Sequence, residues 1–316
     1  MRDDLFKVAV VGAGNVGCTF AFSLMMKGIV REIALIDVNR EKAEGECMDL
    51  NHGASFVPPV NIYAAGFEGC DGADVVVLTA GAKQRAGETR IDLVRRNVEL
   101  FRELIPRIVE YTDEAILLVV SNPVDILTYA TLKLSGLPSN QVLGSGTVLD
   151  SSRFRYLLSD HYMVDARNVH AYIIGEHGDS ELPVWSRANI GGILLRDYCR
   201  KRKTGHDYEK ELDDIFMKVR HAAYEIIEFK GATYYAIALA LVRIVEAVLR
   251  DENSVLPVST LINDYCGVDD VCLSIPSLVN REGVKEFLRV DLSDDEGEQF
   301  RDSARKLREV IDELDL

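Results

Sequence analysis

Short apolar runs of strand length alternate with longer stretches of helical character through the first half of the chain. Lys7–Val11, Ile33–Asp37, Asp74–Gly81 and Ala115–Pro123 are near-continuous apolar runs, the pattern of strands buried on both faces. Between them, Val16–Lys27 and Asp92–Tyr111 predict helices, the second with a local kink at Pro106. Val60–Tyr63 and Gln141–Thr147 are weaker strand candidates, expected at the sheet edges. Apolar strands separated by helices imply a parallel sheet covered on both sides, with ligands at the strand C-termini. The pattern then changes. Asp207–Phe229 and Thr233–Arg250 predict two helices broken near Gly231. Ser254–Ile262 and Val271–Val279 predict antiparallel strands around a turn at Gly267–Asp270, and Ser293 followed by Glu296 is a capping box opening a charged C-terminal helix.

Composition narrows the class of partner. The 316 residues are 47% hydrophobic and 28% charged, enough for one large or two ordinary folding units. A formal net charge of −15 and a pI near 4.9 argue against nucleic acid or an anionic membrane surface, since Arg200–Lys203 is the largest basic tract. No apolar run reaches membrane-spanning length, and a cytoplasmic protein is expected. The six cysteines show no C-x-x-C spacing and read as reduced core residues. No metal-ligand cluster is evident; His52, His161, His206 and His221 are scattered and read as structural.

Candidate chemistry begins directly after the first strand. Gly12, Gly14 and Gly17 fall in G-x-G-x-x-G spacing between a strand and a helix, which is weak alone. Asp37 ends the second strand about twenty residues later, where a carboxylate accepts hydrogen bonds from the ribose hydroxyls and repels the extra phosphate of NADP. Together they predict an NAD site. Ala82–Arg90 is a polar loop with a glycine hinge, suited to closing over a bound anion and carrying an arginine with it. Asp150 and Arg153 lie one helical turn apart, so one can orient a histidine while the other grips a carboxylate bidentately. His177 stands between Gly175 and Gly178 after the apolar Tyr172–Ile174, a placement suited to proton transfer near neutral pH.

The segments VGAGNVG, LIDVN, TAGAKQRAGETR, VVSNPVDILTY, GSGTVLDSSRFR, YIIGEHGDSE and KGATYYAIA occur in the order found in the bacterial-type L-lactate dehydrogenases of the lactate/malate dehydrogenase superfamily, which the chain resembles over its whole length. The resemblance implies a Rossmann-type doubly wound parallel sheet over residues 1–146 and an α+β substrate domain over 147–316. It implies that His177 exchanges the proton, Asp150 orients it, Arg153 clamps the substrate carboxylate and Arg90 polarises the carbonyl, with Asn122 near both carbonyl and nicotinamide. Cofactor contacts are expected at Gly12, Gly14, Val16, Gly17, Asp37, Lys42, Gly81, Ala82, Val120, Asn122, Ser145 and Ile237.

The resemblance also bears on substrate choice. Gln84 occupies the position where malate dehydrogenases carry an arginine for the second carboxylate of oxaloacetate, and Thr233 crowds the methyl side. A buried carboxylate without a partner costs on the order of a hundredfold in selectivity, so pyruvate is the expected substrate. Arg85 beside Gln84 keeps malate dehydrogenase or broad 2-oxo acid activity as the alternative. Arg155 and His170 match residues that bind fructose 1,6-bisphosphate between subunits of activated relatives, and a homotetramer is implied. From another class, an NAD-binding module without catalysis is the competing reading. Intact His177, Asp150, Arg153 and Arg90 speak against it.

Overall fold

A computed structural model describes residues 6–82, 87, 89–202, 208–314 and 316. The side chains of Arg90, Lys201 and Arg202 are also outside the description. In chain order the first half runs β1 (Lys7–Val11), α1 (Asn15–Lys27), β2 (Glu32–Ile36), α2 (Arg40–His52), β3 (Asn61–Ala65), β4 (Val75–Leu78), α3 (Arg90–Val109), β5 (Ile116–Val119), α4 (Val124–Ser135) and β6 (Val142–Gly144). The strands pair in parallel in the order β3-β2-β1-β4-β5-β6, the doubly wound arrangement whose order reverses beside β1. The apolar runs are strands because every residue of β4 and β5 is buried, with helices covering both faces.

Next come α5 (Val148–Tyr162), β7 (Val169–His170), β8 (Ile173–Ile174), β9 (Leu182–Pro183), β10 (Asn189–Ile190), β11 (Ile193–Leu194), α6 (Leu195–Arg202), α7 (Tyr208–Lys230) and α8 (Tyr235–Leu249). The chain finishes with β12 (Ser254–Ile262), β13 (Val271–Asn280), β14 (Gly283–Phe287) and α9 (Asp294–Asp312). The capping box at Ser293 forms as the sequence predicts, with Ser293 and Glu296 each bonding the other's backbone N–H. Both α3 and the backbone hydrogen bond from Glu110 to the Pro106 carbonyl continue past the proline.

Two expectations are corrected. The strand at Val142–Gly144 is internal rather than at an edge, because β12 pairs antiparallel with it through Ser259 and Gly144, and β13 and β14 follow outward. The sheet of nine strands among the described residues therefore crosses from one half of the chain into the other. The apolar run before His177 also contributes only two strand residues, β8, which pairs with β9. Its neighbour Gly175 bridges instead to Ser274 of β13. All six cysteines are free, as expected; Cys47, Cys70 and Cys272 are buried and the others half-buried. No helix among the described residues is long and apolar enough to cross a membrane.

Candidate active site

The glycine turn after β1 is held by its neighbours rather than by side chains of its own. Gly12 has φ +113°, its N–H donates to the Ile36 carbonyl at 2.7 Å, and its carbonyl accepts from the Thr79 hydroxyl at 2.8 Å. A Cβ on Gly12 would lie 2.6 Å from the Ala80 nitrogen, and one on Gly17 would lie 2.0 Å from the Gly12 oxygen. Gly14 differs, since a Cβ there meets nothing within 4 Å. The turn is thus packed shut behind Gly12 and Gly17 and open in front of Gly14, at the N-terminus of α1, where backbone N–H groups and the helix dipole favour a phosphate. Asp37, just past β2, accepts the Ala13 N–H at 2.7 Å and the Asn39 N–H at 2.8 Å, which fixes its carboxylate at the rim of the same opening. Lys42 lies in the first turn of α2, capped by Asn39. These residues fit a dinucleotide: an open glycine cradle, a helix N-terminus and an oriented carboxylate.

The other cofactor candidates gather at the C-terminal ends of β4, β5 and β6. Gly81 and Ala82 follow β4, Val120 and Asn122 follow β5, and Ser145 follows β6 with its N–H on the Val119 carbonyl. One residue absent from the sequence reading ties this rim together. Asn97 of α3, 1% exposed, accepts the Ala82 N–H at 2.7 Å and donates to the Asn122 carbonyl at 2.9 Å. Val16, Val120 and Ile237 are half-buried against one apolar cluster, and α8, which carries Ile237, packs on α1.

Across the cleft, α5 and the segment after β8 bring three predicted residues together. Asp150 is buried; its Oδ2 meets His177 Nδ1 at 2.6 Å and its Oδ1 accepts from Arg153 at 2.6 Å. The backbone beneath is tied down by the Thr147 hydroxyl donating to the Ile173 carbonyl at 2.6 Å. His177 is fixed a second way. Its N–H donates to Asp125 of α4 at 2.7 Å, and Asp125 accepts the Ser259 hydroxyl at 2.6 Å. Asp125 and Ser259 escaped the sequence reading because they are 134 residues apart and buried.

These contacts set the charges. Burial works against a charged His177, yet the Asp150 carboxylate outweighs it and pushes the imidazole up to about 9. Burial would raise Asp150, but His177 and Arg153 together hold it below the usual carboxylate range. Burial pushes Asp125 up to about 7, against the pull of the Ser259 hydroxyl and the His177 amide. With Nδ1 engaged by Asp150, Nε2 is the nitrogen left for a reactant.

The cleft of about 490 Å³ that holds Asp150, Arg153 and His177 also has Asn122 on its wall, and an apolar side from α7 made by Val219, Ala223 and Ile227. Tyr224 lies on this wall, its hydroxyl donating to Asp179 at 3.3 Å. Arg220 donates to the Asp179 carbonyl at 2.6 Å. Asp150, His177 and Glu181 bring one donor atom each within 4.8 Å of one another, a cluster that sequence spacing did not reveal. Both Asp150 oxygens already bond cationic partners, Arg153 and His177, at 2.6 Å. Thr233 sits half-buried between α7 and α8 and is not among the residues forming this wall. Gln84 and Arg85 lie outside the described residues, as does the Arg90 side chain. Arg155 donates to the carbonyl of Ala171 at 2.9 Å, and His170, the residue before Ala171, is exposed on β7.

Comparison with known proteins agrees with this arrangement. Residues 6–144 match the NAD-binding domain of the lactate/malate dehydrogenases, and residues 147–315 match their α/β C-terminal domain. An L-lactate dehydrogenase of Acetivibrio thermocellus is 57% identical over 98% of both chains. Among solved structures, a lactate dehydrogenase from a Medee basin deep-sea metagenome library superimposes with a TM-score of 0.96 at 44% identity, covering 99% of this chain and 100% of that one. The minor L-lactate dehydrogenase of Enterococcus mundtii gives 0.95 at 41% identity, covering 99% of both. The chain belongs to the lactate/malate dehydrogenase family.

Proposed function

We propose that the chain catalyses reversible hydride transfer between NADH and pyruvate, giving L-lactate and NAD+. The observation that carries this reading is the single buried carboxylate of Asp150 holding His177 on one oxygen and Arg153 on the other. The dinucleotide, when bound, supplies the hydride in one direction and accepts it in the other. Gly12, Gly14 and Gly17 with the start of α1 would hold its phosphates, Asp37 its adenosine ribose, and the rim of Gly81, Ala82, Val120, Asn122 and Ser145 its nicotinamide half, with Ile237 as apolar support.

The chain's own chemistry is acid catalysis and anion binding. Arg153 binds the substrate carboxylate, presenting the carbonyl to His177 Nε2. Reduction places negative charge on the carbonyl oxygen, and an imidazolium aimed at that oxygen stabilises the transition state more than the ground state. His177 donates its proton there; in the reverse direction neutral His177 takes it from the lactate hydroxyl. Asp150 keeps the imidazole oriented and charged. By the resemblance Arg90 adds a second cation at the carbonyl, and Gln84 and Thr233 define the methyl side. The apolar wall from α7 suits a methyl group better than a carboxylate.

The finer assignments extend this reading. Residues 1–146 form the cofactor domain and 147–316 the substrate domain, in a cytoplasmic homotetramer. By the resemblance, Arg155 and His170 would bind fructose 1,6-bisphosphate across a subunit interface as an activator, and the bond from Arg155 to the residue after His170 is compatible with such a site. The test is NADH oxidation with pyruvate and, separately, oxaloacetate, each with and without the bisphosphate. Pyruvate preference is expected, with stimulation by the bisphosphate. Preference for oxaloacetate would replace the reading with a malate dehydrogenase and point to Arg85, and absence of turnover with both would leave a binding module.

A further inference from the structure

One buried acid of the cleft has no task in the reaction just described. Glu181 lies four residues after His177, immediately before β9, is 7% exposed, and forms part of the wall beside Asp150, Arg153 and His177. Its Oε1 is buried and has no hydrogen-bond partner among the described residues. A buried carboxylate with an unsatisfied oxygen is costly, and the cost falls sharply when the group takes a proton. The groups facing it come from three segments: Asp150 and Arg153 of α5, His177 of its own segment, and Arg220 of α7. Asp150 already makes the close contacts to both His177 and Arg153, so a second carboxylate in the cluster meets like charge and cations whose best positions are taken. Burial is the largest influence and Asp150 adds to it; His177, Arg153 and Arg220 oppose it without prevailing, and the carboxyl is pushed up to about 8.

We propose that Glu181 keeps its proton while the pocket is ready for a substrate anion, and that loss of this proton to solvent makes it a competitor for Arg153, gating entry of a monocarboxylate by charge. The inference rests on the reading of the cleft as a 2-oxo acid site. Its consequence is a loss of affinity for the anion that begins below the pH at which His177 itself discharges. Glu181 acts through Arg153 and the charge of the pocket, so it is a positioning residue rather than a catalytic one.

The test has two arms. In the first, the full-length protein carrying carboxyl-labelled glutamate is titrated by carbon-13 NMR, alone and as Glu181→Asp. One glutamate resonance is expected to titrate near pH 8 in the parent and to vanish in the variant; titration of every glutamate between about pH 3 and 6 would overturn the proposal. In the second, the KM for pyruvate of the parent is divided by that of Glu181→Gln across pH. The ratio is expected to climb about fivefold or more between pH 6 and 8.5, because only the parent gains a negative charge there. A ratio independent of pH would mean that Glu181 fills space, and would equally overturn the gate. The first arm needs no turnover, so an enzyme inactive on pyruvate would defeat the functional reading while leaving the proton on Glu181 open to direct observation.

Discussion

The turn after β1 and the cluster on α5 do opposite things with side chains. The turn works by leaving them out: Gly12 and Gly17 allow backbone to pack on backbone, and Gly14 faces open space. The cluster works by balancing charges in a confined place, where Asp150, Arg153 and His177 are each tolerable only because of the others. Geometry built from missing atoms fails when an atom is added. Geometry built from opposed charges fails when one charge is taken away, with the shape untouched.

The sharpest break is therefore Asp150→Asn. Loss of the carboxylate is expected to lower pyruvate reduction by about 10³ to 10⁴-fold, measured as kcat/KM by NADH absorbance. The pH profile reads the cause. In the parent, reduction needs protonated His177, so kcat at saturating pyruvate holds below about pH 9 and falls above it, while kcat for lactate oxidation rises toward the same value. In Asp150→Asn the alkaline limb moves to lower pH, because burial then acts on the imidazolium without its counter-charge. Stability follows the same sign. The folded His177 value of about 9 exceeds its ordinary 6.5, so its contribution is complete below pH 6.5 and is lost as pH rises through 9.

How much of each region could be read from the sequence follows from how local its determinants are. The strand Lys7–Val11 and the capping box at Ser293 were legible to the residue, since a buried parallel strand is a bare apolar run and a cap is written within four positions. The Asp150–Arg153 pair was legible because one helical turn separates them. The supports were not. Asp125 with Ser259, and Asn97 bridging Ala82 to Asn122, are polar side chains whose partners the fold brings from elsewhere, and nothing in their own neighbourhoods marks them. The edge position expected for Gln141–Thr147 failed for the same reason, as the second neighbour of its strand β6, β12, comes from the far end of the chain.

The glycine turn offers a smaller and cleaner contrast. Gly17→Ala is expected to cost about 2–4 kcal/mol in urea denaturation, since its Cβ would overlap the Gly12 carbonyl and the packed backbone has little freedom to yield. Gly14→Ala should leave the urea midpoint within about 0.5 kcal/mol of the parent, because its φ of −84° suits alanine and the space is open. Its NADH affinity, followed by nucleotide fluorescence, should nevertheless fall about tenfold as the methyl group intrudes where the backbone must approach the phosphates. Equal losses of stability in the two variants would erase the distinction between the closed and open sides of the turn.

The pairing of Gly144 with Ser259 joins β6 to β12, and a Cβ on Gly144 would come within 2.9 Å of the Ser259 Cβ. That contact behaves as a steric key between the two halves. Thr128 and Val124 of α4 crowd the same point at 2.4 and 3.0 Å, so a chimera that joins the halves here must keep glycine at 144. A missing side chain at one position thus lets a parallel strand accept an antiparallel neighbour from the far end of the chain.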